Sequence, residues 1–409
     1  MLKSLPLLHR AWRALPLGPR RRALAGVAAL FAPRITRPPP SVREGVIVAG
    51  ELTRASGLGE SARLMLRALD ALSVATWALD IGPLLPAHDP ALPALASAPP
   101  PRDAALVLHV NAPMLPVVLA RLPRALVRGR RVVGFWAWEL PIVSPTWHAG
   151  ARFVHEAWAP SDFTAAAVAP LLGGRVRTVP HPLAVAPPVP AALGRAAFGL
   201  PDDALVVLVA FNLASSFERK NPLAAVAAFR AAFGARADRL LLLKVGNAGH
   251  APADFERLAA AVADAPNIRL ETRTLPVADA HALTAAADIV LSLHRSEGFG
   301  LVPAEAMLLG RPVVATGWSG NMTFMDDSCA ALVGYRLVPA RDPRGVYAVP
   351  GATWAEPDIA HAAEWLRRLG DDPGLRARLG PAGQVAARAR LGAAPLAEAV
   401  RALGLAVPA

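Results

Sequence analysis

The sequence predicts an α/β protein of two doubly wound, Rossmann-like parallel-sheet domains that face a cleft. Three observations carry that expectation. Apolar runs of strand length, at 46–49, 74–79, 106–110, 131–135, 205–211, 240–245, 267–270 and 288–293, alternate with stretches of helical length, the signature of buried parallel strands with crossover helices. A proline-rich stretch, Ala186 to Pro190, separates two such halves and reads as a linker. Between 288 and 315 the pattern resolves into strand, glycine-rich turn, short helix and strand, one complete unit of a doubly wound sheet.

The bulk properties agree. A chain of 409 residues is long enough for two domains, and 54% hydrophobic against 18% charged residues excludes global disorder. One cysteine, Cys329, leaves no internal disulfide framework, which fits a reducing, cytoplasmic setting. No Cys/His cluster has zinc-ligand spacing and no Asp-x-Asp occurs, so neither metal nor cofactor is expected. The net charge is +12, but nine basic residues (Lys3, Arg10, Arg13, Arg20, Arg21, Arg22, Arg34, Arg37 and Arg43) precede the first acid, Glu44. The rest of the chain is nearly balanced, which argues against a nucleic-acid partner.

In order, residues 1–44 form a basic arm with a short apolar run, Ala23 to Ala32, ending in Pro38-Pro39-Pro40. The run is too short to span a bilayer. It predicts either attachment to an anionic membrane surface through residues 1–37 or a packed or disordered arm. Residues 45–186 form the first domain. After its first strand come Gly57 and Gly59, then a strand ending in Asp80. The spacing imitates a dinucleotide fingerprint, which keeps an NAD-dependent oxidoreductase as an alternative, but seven residues separate Ala49 from Gly57 where the glycines should follow at once. Their plainer role is to let a helix approach a strand. His109 lies inside the next strand, where a lone histidine is usually a core residue. Trp136-Ala137-Trp138-Glu139 closes the strand after it. Ligands bind beyond that end of such sheets, so Trp138 and Glu139 are candidates for acceptor or sugar contact, against a tryptophan-rich core layer. Ser161 or Asp162 is placed to cap a helix.

Residues 187–372 form the second domain. Asn221 is expected to cap a helix that starts at Pro222 and ends at Gly234, which puts Arg219 and Lys220 beside a helix N-terminus. Two cations there call for an anion. Trp354 to Asp358 reads as the start of a helix to Leu369. Residues 373–409 read as closing helices that pack back toward the first domain.

The stretch Ser296-Glu297-Gly298-Phe299-Gly300-Leu301-Val302-Pro303-Ala304-Glu305 organises the rest. Its turn presents backbone N–H groups and a helix N-terminus at the carboxyl edge of a sheet, with Pro303 suited to the first helical position, a place that holds phosphate. Glu297 and Glu305 flank it. Carboxylates repel phosphate but accept hydrogen bonds from hydroxyls, so the pattern suits a diphosphate between hydroxyl-rich rings. Here the chain resembles the retaining glycosyltransferases of family 4, which have the GT-B fold. The match runs residue by residue over Glu297, Gly298, Phe299, Gly300, Leu301 and Glu305. The resemblance implies that Glu297 contacts donor-sugar hydroxyls, that Glu305 contacts ribose, and that the loop N–H groups hold the diphosphate. It also implies that Lys220, with Arg219 in place of a second basic residue at the position of Ser215, binds the diphosphate, and that Gly57 and Gly59 line the donor side. A histidine common in the family is replaced here by the Trp138-Glu139 patch. The implied activity is retaining, metal-independent sugar transfer from a nucleotide sugar to a glycan or lipid-linked acceptor in surface glycan assembly. A non-catalytic sugar-nucleotide-binding protein is the other alternative.

Overall fold

A computed structural model of the chain describes residues 17–85, 91–95 and 98–407. Six parallel strands make the first sheet: β1 Val46–Gly50, β2 Thr76–Asp80, β3 Ala105–Leu108, β4 Val132–Phe135, β5 Glu156–Ala159 and β6 Val176–Thr178. Their order is β2-β1-β3-β4-β5-β6. Six more make the second: β7 Leu205–Asn212, β8 Arg239–Gly246, β9 Ile268–Glu271, β10 Ile289–Ser292, β11 Val313–Thr316 and β12 Ala331–Val333, ordered β12-β11-β10-β7-β8-β9. Strands covered on both faces need apolar residues throughout, and β1, β3, β4 and β11 are buried at every position.

In each sheet the chain leaves its first strand to one side and later returns to the other. The switch lies between β1 and β3 in the first sheet and between β7 and β10 in the second. A crevice opens at such a point, outside the carboxyl ends of the strands. The loops after β7 and β10, which carry Arg219, Lys220 and Glu297, border it.

A third, two-stranded antiparallel sheet pairs β13 Tyr335–Pro339 with β14 Thr353–Pro357. Trp354 therefore belongs to a strand, and the helix expected from it starts at Ile359, capped by the Asp358 carboxylate, which accepts from the N–H groups of Ala360 and His361. The connecting loop of this hairpin leaves its own domain. Tyr347, Val349, Ala352 and Trp354 join the core of the first domain beside Trp138, Trp147 and Leu140.

The return crossing falls later than the expected residue 373. The Pro373–Arg390 helix stays on the second domain, where a Cβ on Gly380 would stand 2.3 Å from the Gly310 carbonyl oxygen and Gln384 donates to the Leu308 carbonyl. Only the Ala394–Ala402 helix reaches the first sheet, burying Leu396, Ala399 and Val400 against Val46 and Val48. The outgoing and returning crossings pair where they pass, Ala184 N–H donating to the Leu391 carbonyl.

Of the basic arm, Lys3, Arg10 and Arg13 lie outside the described residues. The described part of the arm opens with a Leu17–Phe31 helix that packs against the Leu115–Arg121 helix, and continues without regular structure to residue 44. Among the described residues no helix is long and apolar enough to cross a membrane.

Candidate functional site

The β7–β10 crevice gathers a dense set of charges. The loop after β7 forms a four-residue helix, Phe217–Lys220, whose Ser216 hydroxyl accepts from the Arg219 N–H. The next helix, Pro222–Phe233, begins after Asn221 turns left-handed at φ 53°. Asn221 therefore does not cap it by its side chain, as its sequence position suggests. Arg219 and Lys220 close the last turn of the preceding helix instead, where the dipole favours cations. From there both side chains reach Glu297, Lys220 Nζ at 2.5 Å and Arg219 at 3.1 Å.

Burial alone would raise the Glu297 carboxyl, but Lys220 and Arg219 outweigh it and hold the group down at about 2. Burial lowers the Lys220 ammonium against the pull of Glu297. Arg219, 3% exposed, donates also to the Ser296 carbonyl and the Ser215 hydroxyl, each at 2.7 Å, and stacks over the Tyr347 ring. Burial works against its charge, yet its acidic surroundings raise its pKa. Ser215, standing where a second basic residue was expected, thus anchors Arg219. Three buried polar atoms here lack a hydrogen-bond partner: Arg219 Nε, Asn221 Nδ2 and Ser296 Oγ. Native structures leave few such atoms, and each calls for an explanation.

The loop from 296 to 300 is fixed from both domains. The Glu297 N–H donates to the Ser319 hydroxyl, and Ser319 holds φ 80°, a strained value for a residue with a side chain. Gly320 passes so close that a Cβ would stand 2.3 Å from the Gly298 carbonyl oxygen. That oxygen also accepts from Ser161, at 2.6 Å, and Thr164 of the first domain. Ser161, not Asp162, is the cap of the Asp162–Leu172 helix, so one hydroxyl caps that helix and clasps the facing domain. The Phe299 ring is buried against His181 and Phe324.

Gly300 has φ 100°, open to glycine alone in practice, and the Leu301–Leu308 helix starts directly after it with no side-chain cap. The helix begins two residues earlier than expected. Pro303 still falls in the first turn, where its missing N–H removes no helical bond. Glu305 lies a turn further in, facing Glu60 near the start of the Gly57–Ala71 helix. Burial, with Glu60 adding to it, pushes the Glu305 carboxyl up to about 8. A carboxyl raised on folding binds extra protons in the native state, so its contribution to stability falls as pH rises from about 4.5 towards 8. The melting temperature of Glu305→Gln should therefore decline less than that of wild type across this interval. Parallel melting curves would remove the assignment.

The first-domain candidates divide. Glu139 joins the site, 3.9 Å from Arg219 and hydrogen-bonded to the Tyr347 hydroxyl; burial raises its pKa. Trp138 is not a sugar platform: its indole is buried between Trp147 and Tyr347 and donates to the Ile142 carbonyl. His109 is a core residue, bound to Ser61 and stacked on Phe135, with burial pushing its pKa down. Gly59 is required for packing, since a Cβ would meet the Glu51 carbonyl oxygen at 2.5 Å, and its N–H is taken by the Ser56 hydroxyl. Gly57 stands in open space. Asp80, the ribose acid of the dinucleotide alternative, is consumed by the N–H groups of Leu52 and Gly82 and the hydroxyl of Thr53.

Tyr347 was not anticipated. It is set in place by Asp342, whose carboxylate accepts from its N–H, while Arg344 ties the same loop to the carbonyls of Leu213 and Ser215. His294 and Asn321, bonded at 3.0 Å, support the crevice floor. Among the described residues no three His, Cys, Asp or Glu side chains are grouped to hold a metal.

Solved structures share this architecture along nearly their whole length. Anabaena HepE, determined with UDP and glucose, superposes with a TM-score of 0.59 at 13% identity, covering 88% of this chain and 98% of that one. A glycosyltransferase from Rickettsia africae gives 0.60 at 13%, covering 90% and 99%. Sucrose-phosphate synthase from Thermosynechococcus elongatus gives 0.59 at 17%, covering 89% and 99%. The fold is GT-B. Within it, residues 205–348 match the model of the family described as glycosyl transferases group 1. That span begins at β7 and ends one residue past Tyr347, so it includes Arg219, Lys220, Glu297 and Glu305. A D-inositol 3-phosphate glycosyltransferase from Salinispora arenicola is 31% identical over 191 residues, 46% of this chain. The match spans only 38% of that relative's own length.

Proposed function

We propose that this GT-B protein transfers a sugar from a nucleoside diphosphate sugar to an acceptor hydroxyl with retention, without a metal. One observation carries the proposal: Lys220 and Arg219 from one loop, and the uncapped N-terminus of the Leu301–Leu308 helix from another, meet at the β7–β10 switch point beside Glu297. Cations and free N–H groups suit a diphosphate. Glu297 and Glu305 suit the hydroxyls of the sugar and ribose on either side of it. The UDP held by HepE and the transferase match over 205–348 support the same donor class.

In the proposed step the bond from the anomeric carbon to the diphosphate oxygen breaks and the acceptor oxygen attacks on the same face. The acceptor's proton passes to the departing phosphate oxygen. Lys220 and Arg219 stabilise the charge that develops on that oxygen. Glu297 and Glu305 hold the two rings. The setting proposed with it is surface-glycan or glycolipid assembly on the cytoplasmic side of an anionic membrane.

A thermal-shift series tests the donor class. UDP, GDP and their sugars should raise the melting temperature in a concentration-dependent way, because a ligand bound only to the folded state stabilises it by mass action. A shift with NADH and none with any nucleoside diphosphate would overturn the proposal.

A further inference from the structure

From Ala23 to Phe31 the Leu17–Phe31 helix is apolar on both sides. Its inner side packs on the Leu115–Arg121 helix, with Ala25 and, just beyond the last turn, Ala32 buried. Its outer side presents Ala23, Gly26, Val27, Leu30 and Phe31, spaced three and four apart and therefore in one stripe. Val27 is 57% exposed, Leu30 81% and Phe31 64%. An apolar stripe ending in two of the chain's most exposed large side chains is rare on a surface that meets only water.

What surrounds the stripe is cationic. Leu30 and Phe31 border a hollow closed by Arg34, Thr36, Arg124 and Arg128, with no acid in its lining. The three arginines are exposed, and none has a carboxylate partner among the described residues. Elsewhere this chain pairs many of its arginines with carboxylates, as at Arg63–Glu60, Arg195–Asp288 and Arg344–Asp254. Arg20, Arg21 and Arg22 fall in the first turns of the same helix. Unpaired arginines call for an anionic partner. The protruding Leu and Phe call for one that also admits apolar side chains, which polyanions such as nucleic acids do not offer. A bilayer with anionic headgroups supplies both, phosphates for the arginines and an acyl boundary for Leu30 and Phe31.

We infer that Val27, Leu30 and Phe31, with Arg34, Arg124 and Arg128, form a docking surface for an anionic lipid bilayer. It rests on the proposed membrane setting, and extends the surface from the arm to the body of the first domain. The surface is separate from the β7–β10 crevice, so its failure would leave the transferase proposal standing.

The test is flotation of the full chain with vesicles. Wild type should bind vesicles containing phosphatidylglycerol and bind pure phosphatidylcholine poorly, with binding that weakens as salt rises. Leu30→Ser/Phe31→Ser should weaken binding by about tenfold or more. Arg124→Glu/Arg128→Glu should do the same, at about fivefold or more for each arginine. Val385→Ser, at a 69% exposed apolar position of the second domain, should bind as wild type. Melting temperatures and UDP-induced shifts equal to wild type would show that the double variants are folded. Three results would overturn the inference: no binding to either vesicle, equal binding to both, or full binding by both double variants. Self-association of wild type that Leu30→Ser/Phe31→Ser abolishes, without vesicle binding, would assign the stripe to a second copy and overturn it as well.

Discussion

Lys220→Ala is expected to weaken binding of UDP or GDP by about ten- to a hundredfold, the range of a hydrogen bond to a charged group. Two effects add. The variant loses a cation that the diphosphate would meet. It also leaves Glu297 without the Lys220 ammonium at 2.5 Å, so that Arg219 alone, at 3.1 Å, must neutralise both carboxylate and ligand. Its closeness to Glu297 distinguishes Lys220 from an ordinary surface cation, which would be worth little. Lys220→Arg should recover part of the affinity, because charge is kept while the fork geometry differs. Titration calorimetry with UDP and GDP decides the matter. Affinity unchanged in Lys220→Ala would remove the residue from the site.

Much of this site was legible because the chemistry forces local sequence. A phosphate-cradling turn between a buried strand and a helix needs glycine where φ is positive, and Gly300 is that residue. It also needs apolar runs on both sides, and 288–293 and 312–315 supply them. The two halves were legible for the same reason, since strands covered on both faces leave little room for polar residues. Contacts made across the chain left no local trace. Tyr347 sits in a stretch of Arg, Asp, Pro and Gly without periodicity, and only the fold carries it over to Glu139 and Arg219. The β13–β14 hairpin was missed because β13 is largely exposed and has no continuous apolar run. Trp138 stayed open between sugar contact and core layer because a strand-end tryptophan reads alike whether it faces a cleft or a core. Of the two rings that bury it, Tyr347 is remote in sequence and lies outside any regular element.

The tight Glu297 pairing leads to an expectation of opposite sign for binding and turnover. In Glu297→Gln the side chain keeps its shape but loses its charge. Lys220 and Arg219 are then released from their shared carboxylate, so a nucleoside diphosphate should bind at least as tightly as to wild type. Without ligand, buried Arg219 and half-buried Lys220 face each other with Glu139 nearby, at 3.9 Å from Arg219, and the fold should lose stability on the scale of a broken buried ion pair, about 3 kcal/mol. UDP should restore part of this, giving a larger thermal shift in the variant than in wild type. Transfer should nonetheless fall by about a hundred- to a thousandfold, the cost of losing one preorganised charged contact in the transition state. The loss should appear in kcat and not in KM, because the contact matters most while the sugar is parting from the diphosphate. A variant with wild-type kcat would show that Glu297 only balances the cations. A variant that no longer binds UDP would show that the carboxylate organises the anion site itself. The proposed division of labour, cations for the diphosphate and carboxylate for the sugar, survives only if binding and turnover separate.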